Sequence, residues 1–423
     1  MLEKSKFRNA LDKFYSETML YNLFNEYFIE WIGDSYIGKE LNIFEVSVID
    51  ENTDKEVFLN LLEEVFYDKD TFQKLFETLP EELQKVFKKV IWDGGYLISD
   101  EEKEIFFSEM NGQYIKEVDK KYQFFKLNDS NFNKQFLYLD YDIVRIIRKN
   151  MGEVPQSFTL NPDLNSIENI KTLFKDDNEN EFISNINLYI EFLNSGEIKL
   201  SNSGKIMKES KKNMLKHCNI TEYYNDVKGL EQLKTETISL FLLSLEDKYK
   251  YSEYFSSENI KKTYLDLLEN KIFNKEKKFM YSTYFLNYLK GTKNIWKGKE
   301  NLTESVKSLV KILKEIPEDE HINIEQIINL FLYRDEHIEL IDFKDIKDYI
   351  YINEANYERT KITDYYTYIE YVTVPFVKSF LFLLGVLGVF ELYYDRPRNT
   401  DELYLKSGYL SKYEGLRYIK LTN

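Results

Sequence analysis

The chain reads as mainly α-helical with small β-hairpins, an α+β protein of several helical domains. Two observations carry this expectation. Apolar residues recur three and four apart along most of the 423 residues, and short β-branched or aromatic runs bounded by turn residues are few. A hydrophobic content of 43% supplies several cores, and ordinary domains of roughly 100–200 residues predict two to four of them.

In chain order, Leu11, Phe14, Tyr15, Leu20, Leu23, Phe24, Tyr27, Phe28 and Trp31 predict one long amphipathic helix over residues 8–32. Gly33 and Gly38 bracket its exit, and Ile43 to Ile49 reads as a short strand. A turn and N-cap follow at residues 50–54, then a helix carrying Phe58, Leu61, Leu62, Val65 and Phe66 on one face. Pro80, Glu81 and Glu82 have the composition of a first helical turn, and Asp93-Gly94-Gly95 that of a stop. Tyr122 to Leu127 and Phe136 to Leu139 read as strands, and Tyr141 to Lys149 as a short helix. Helical spacing returns at Phe182–Leu193, Leu230–Leu245, Ser257–Ile272, Thr303–Ile316 and Ile322–Phe331, with no fixed-period repeat. Met151 to Asp163 holds Pro155 and Pro162 and little periodicity, and Gly291 to Lys299 is a second punctuated stretch. The expected domains are therefore an acidic α+β domain at 1–150, a helical domain at 165–295, and a second at 300–423.

The formal net charge of −16 argues against a general polyanion binder. The charge is unevenly spread: residues 1–100 hold 21 acidic and 11 basic side chains. By contrast Lys199, Lys205, Lys208, Lys211, Lys212 and Lys216 meet only Glu209 within 18 residues. Lys205, Lys208, Lys211, Lys212 and Lys216 are accordingly the candidate nucleic-acid contacts, because the field at the contact decides binding rather than the net charge. Arg145, Arg148 and Lys149 form a smaller basic cluster. The 34 Tyr and 31 Phe invite a reading as base-stacking platforms, but AT-rich codon usage explains such a composition as well.

Searches for chemistry return little. Cys218 is the single cysteine, which excludes an intramolecular disulfide, and with His217, His321 and His337 it is too scattered for a structural zinc site. No phosphate-cradling glycine loop, dinucleotide fingerprint or nucleophile elbow occurs. His217-Cys218 lacks a third member, and neighbouring side chains point apart. Glu339, Asp342 and Lys344 are the nearest approach to a metal-dependent nuclease cluster, at a spacing common by chance. Arg334 and His337 match no ribonuclease signature. No metal or cofactor is expected, and the balance leans away from an enzyme. The N-terminus has no apolar signal core and the cysteine count is low, so a reducing cytoplasm is the expected compartment. Val374 to Tyr393 imitates a membrane span, but Lys378, Glu391, Gly385 and Gly388 interrupt it. A buried helix feeding a strand is expected there, with no membrane.

Two segments echo each other. Gly196-Glu197-Ile198-Lys199-Leu200-Ser201-Asn202 follows a helix, and Gly415-Leu416-Arg417-Tyr418-Ile419-Lys420-Leu421-Thr422-Asn423 shares its Ile-Lys-Leu-(Ser/Thr)-Asn core. In the second copy an apolar helix leads to Val389–Tyr393, a polar loop and the Arg417–Leu421 strand. This layout resembles the winged-helix superfamily over residues 360–423, and more weakly over 165–220. The resemblance implies a recognition helix followed by a β-hairpin wing, used either in the DNA major groove or for protein docking. The helix in the recognition position, Phe376–Leu384, is almost wholly apolar, whereas base readout needs Arg, Lys, Asn or Gln. The Tyr394–Tyr413 loop carries Arg396, Arg398, Lys406 and Lys412, diluted by Asp395, Asp401 and Glu402. Docking is thus the expectation. Because the first copy continues into a lysine-rich helix and the second stops at Asn423, the natural module is expected to run further.

These readings converge on a non-catalytic adaptor or scaffold subunit with protein partners, in a nucleic-acid-handling assembly of the kind bacterial defence systems or mobile elements use. A stand-alone DNA-binding regulator and a metal-dependent nuclease with an unfamiliar site are the competing classes.

Overall fold

The structure is a computed structural model describing residues 4–29, 53–110, 113–129, 135–162, 172–177, 180–201, 205–245, 281, 284–292, 302–334, 339–346, 349–398 and 403–421. The expected strand at Ile43–Ile49 and helix at Ser257–Ile272 lie outside the described residues. The chain is mainly helical with small antiparallel sheets, and it forms two compact units, Met1–Pro155 and Gln156–Asn423.

In the first unit the expected single helix is two. Lys4–Phe14 ends before Ser16, whose extended backbone and hydroxyl, accepting from the Met19 amide at 3.2 Å, start Glu17–Leu23. A π-helical turn, Phe24–Phe28, then buries both terminal rings. Serine competes with helix continuation because its side chain replaces the missing backbone acceptor. Asp54, Asp68 and Asp140 cap Lys55–Tyr67, Lys69–Thr78 and Tyr141–Asn150 in the same way. Glu81–Asp93 stops at Gly94, whose φ of 83° is the left-handed conformation glycine adopts freely.

Strands β1 (Tyr96–Leu97), β4 (Lys126–Asp129) and β5 (Gln135–Tyr138) form a sheet in the order β1-β5-β4, and β2 (Phe107–Met110) pairs with β3 (Gln113–Val118). The expected strand at Tyr122–Leu127 is instead a 3₁₀ turn, Lys120–Tyr122, followed by β4. Tyr122, Phe124 and Phe125 are all buried, whereas a strand would have turned Phe124 and Phe125 to opposite faces.

In the second unit β6 (Phe174–Asp176), β8 (His321–Asn323), β11 (Phe390–Tyr394) and β12 (Leu416–Leu421) make a four-stranded antiparallel sheet ordered β6-β11-β12-β8. It joins residues from both sides of the Gly291–Lys299 stretch. A three-stranded sheet, β10-β9-β7, comprises β7 (Leu289–Lys290), β9 (Tyr351–Asn353) and β10 (Arg359–Lys361). Leu392, Ile419 and Ile322, side by side on adjacent strands, are buried. The helix Val374–Val386 packs beside them, with Gly385 against Leu392, where a Cβ would collide with the leucine side chain. The 22-residue helical run Tyr365–Val386 is long and apolar enough to cross a membrane, and 72% of its most apolar window is buried within the chain.

Candidate nucleic-acid interface

The five predicted lysines lie on or just before the helix Lys208–His217. The residues leading to that helix are tied to Lys199 and Leu200. Leu200 and Ile206 form a single β-bridge, Met207 donates its amide to the Lys199 carbonyl at 2.9 Å, and the Ser210 hydroxyl accepts from the Lys199 amide at 3.0 Å. The Ile206 amide donates to the Tyr284 hydroxyl. Inside the helix, Ser210 and Met214 are the buried positions and turn it onto Leu233–Ser244. Lys208, Lys212 and Lys216 are four apart, so they share one stripe on the opposite side, and all three are exposed with Lys205.

Lys211 is different. Its ammonium meets a Glu236 carboxylate oxygen at 2.5 Å, and Lys412 meets the other oxygen at 3.0 Å. Burial opposes ionisation of Glu236, but Lys412 and Lys211 outweigh it and hold the carboxyl below its usual range. The structure therefore brings four of the five lysines to the surface and turns the fifth inward. Periodicity held that signal: Lys211 falls three positions before Met214, towards the side of the helix that packs.

A second buried ion cluster lies at the start of Leu233–Ser244. Lys234 contacts Asp176 at 2.9 Å and Glu181 at 2.5 Å. Burial works against its ammonium, yet the two carboxylates raise its pKa. Glu222 accepts from the Lys234 and Thr235 amides at 2.8 and 3.1 Å, capping Leu233–Ser244 from a distant segment. Nothing in the sequence marks these four residues as neighbours, because they come from four separate segments.

Several members of the other basic clusters are paired within the fold. Arg148 is buried and donates twice to the Ile91 carbonyl, at 2.7 and 3.0 Å, closing the end of Glu81–Asp93. Arg145 pairs with Asp142 at 3.4 Å. Arg396 pairs with Asp226, and Arg417 with Asp395 at 3.2 Å. Arg334 forms a forked pair with Glu315, and His337 lies outside the described residues.

The groups considered for catalysis have structural surroundings. Cys218 is buried, and burial followed by Glu191 pushes its thiol up to about 11, which leaves it protonated and unreactive. Glu339 accepts the Phe343 amide at 3.0 Å and the Tyr365 hydroxyl, which is a cap for the turn Phe343–Ile346. Among the described residues no three His, Cys, Asp or Glu side chains gather as metal ligands. The Phe376–Leu384 segment is buried except for Lys378, which reaches Glu414 at 3.0 Å. A helix enclosed in this way has no face to lay in a groove.

Comparison with family models, curated proteins and solved structures finds no match.

Proposed function

We propose that the chain is a non-catalytic adaptor subunit of a nucleic-acid-handling assembly, built around a winged-helix-like module and contacting phosphate through the Lys205–Lys216 segment. The observation that carries this reading is a layout in which the Val374–Val386 helix, β11, a loop and β12 follow one another, with β11 and β12 paired antiparallel. That order resembles a helix followed by a wing, and its helix is buried. Direct base readout is thereby removed, while the cations for non-specific phosphate contact sit elsewhere, at Lys205, Lys208, Lys212 and Lys216. The acidic first unit supplies the protein-docking surface in this reading. Cytoplasmic work in a bacterial defence or mobile-element system is part of the same proposal.

Purifying the full chain from its native cells under mild conditions, with cross-links mapped by mass spectrometry, tests the assignment. Stoichiometric protein partners cross-linked to residues of 1–150 are the expected result. A chain that emerges alone and binds one duplex sequence far above others would overturn it in favour of a regulator. Cleavage of DNA or RNA with magnesium or manganese would overturn it in favour of a nuclease.

A further inference from the structure

Within the proposed nucleic-acid role, which this inference rests on, we infer that the outer face of the β10-β9-β7 sheet is a platform for single-stranded nucleic acid, where Tyr351 and Tyr357 stack bases and Lys290, Arg359, Lys361 and Lys406 meet phosphates.

Register builds the platform. Tyr351 lies directly opposite Lys361 on one side and Lys290 on the other, so the three strands present a cation–aromatic–cation row. The opposite face is the apolar one, with Ile352 and Leu289 buried. Arg359 sits over the Tyr351 ring, its guanidinium carbon 4.8 Å from the centroid. At the hairpin tip Tyr357 is 88% exposed, and Lys406 lies 5.4 Å from its ring centre.

Tyr357 serves no evident purpose in the fold. Its φ of 70° is a left-handed position that disfavours a side chain, and its ring buries almost nothing. Glycine or asparagine would suit the turn better, so the ring points to an external partner. The loop carrying Lys406 is fixed to the hairpin: the Ala355 amide donates to the Tyr404 carbonyl at 2.7 Å, and the Tyr404 amide to Glu354 at 3.0 Å. That contact occupies Glu354, which also accepts from the Thr360 hydroxyl at 2.5 Å, and leaves Glu358 as an exposed counter-charge at the turn. Burial, and then Lys205, push the Lys290 ammonium below the usual lysine range. Lys205, which precedes the basic helix, is therefore felt electrostatically at Lys290.

One exposed ring and one half-buried ring, each with a cation beside it, fit unstacked bases with flanking phosphates better than a duplex, whose bases are already stacked. An acidic peptide would use the cations and leave the rings idle.

The test is fluorescence anisotropy of the full chain with labelled oligo-dT of about 20 nucleotides and with a duplex of about 20 base pairs, at low salt. Base–aromatic stacking predicts that Tyr351→Ala/Tyr357→Ala weakens oligo-dT binding by about tenfold or more, that Tyr351→Phe/Tyr357→Phe restores it, and that duplex affinity stays within about twofold. Failure of the wild-type chain to bind oligo-dT overturns the platform. If it then still binds duplex through Lys208, Lys212 and Lys216, the wider functional reading survives. Loss of single-strand and duplex binding together in the alanine variant, or displacement of oligo-dT by polyglutamate at equal charge concentration, also overturns the platform.

Discussion

Replacing Lys208, Lys212 and Lys216 together by alanine, and Lys211 alone in a separate variant, separates a phosphate-binding stripe from a structural ion pair. The three stripe lysines are exposed, so each is counted as one phosphate contact. Neutralising a phosphate contributes about −0.9 to the slope of log K against log salt, so the triple variant should flatten that slope by about 2.7. Across a rise from about 50 to about 200 mM salt, the wild-type chain should lose about 40-fold more affinity than the variant. Lys211→Ala should leave the slope alone, because that charge is already committed to Glu236. It should instead lower stability by roughly 1–2 kcal/mol, less than for a fully orphaned buried charge because Lys412 remains on Glu236. Anisotropy titration of a short duplex at several salt concentrations, with a denaturant melt of each variant, reads both quantities. An unchanged slope in the triple variant, or a flattening by Lys211→Ala as large as that of one stripe lysine, would refute the reasoning.

Other outcomes follow from the remaining charged groups. Burial first, then Asp142, pushes the Asp140 carboxyl up to about 6, so its ionised form is disfavoured in the folded state. Its cost to stability is present above about pH 6 and fades as pH falls towards the unfolded value of 3.8. Asp140→Asn should thus stabilise the chain by about 1 kcal/mol at pH 7, a figure reduced for the solvent reaching this half-buried group, and by nothing near pH 4 in paired urea melts. Arg148→Met should cost roughly 2–3 kcal/mol in the same melts through loss of the two bonds to Ile91, with duplex affinity unchanged. Cys218 should resist iodoacetamide at pH 8 in the native chain and react at once in denaturant, which mass spectrometry follows directly.

Most helices were legible because caps and apolar spacing are local. Asp54, Asp68 and Gly94 mark boundaries that no tertiary contact is needed to explain. Failures came where a local signal met a packing demand. Ser16 offered a cap inside an unbroken apolar pattern, and the pattern hid it. Around Phe124 and Phe125 the aromatic density suggested a strand, yet both rings are needed in one core. The Ile-Lys-Leu echo shows the same point from the other direction. In β12 those residues pair with β11 on one side and β8 on the other. At 198–200 the same residues keep a single bridge, Leu200 to Ile206, because the neighbouring amides bond within the loop and to Tyr284. Neighbours, not the peptide, decide which copy becomes a strand.

Charge obeys the same logic, and this bears most directly on function. A count along the sequence treats every lysine and arginine as equally available. The fold divides them: Arg148 closes a helix end, Lys234 holds two carboxylates inside, and Lys211, Lys412, Arg396 and Arg417 each face a specific acid. Among the cations left at the surface, two groups are ordered by the fold: a stripe on one helix and a row on one sheet. A chain with a net charge of −16 can hold phosphate only where cations are concentrated and outnumber the acids beside them. Lys208–Lys216 meets that condition by helical spacing and the β10-β9-β7 face by strand register. The first was readable from sequence, since its period lies within one element. The second was not, because its row is assembled from residues 290, 351 and 361, which come together only when three strands pair.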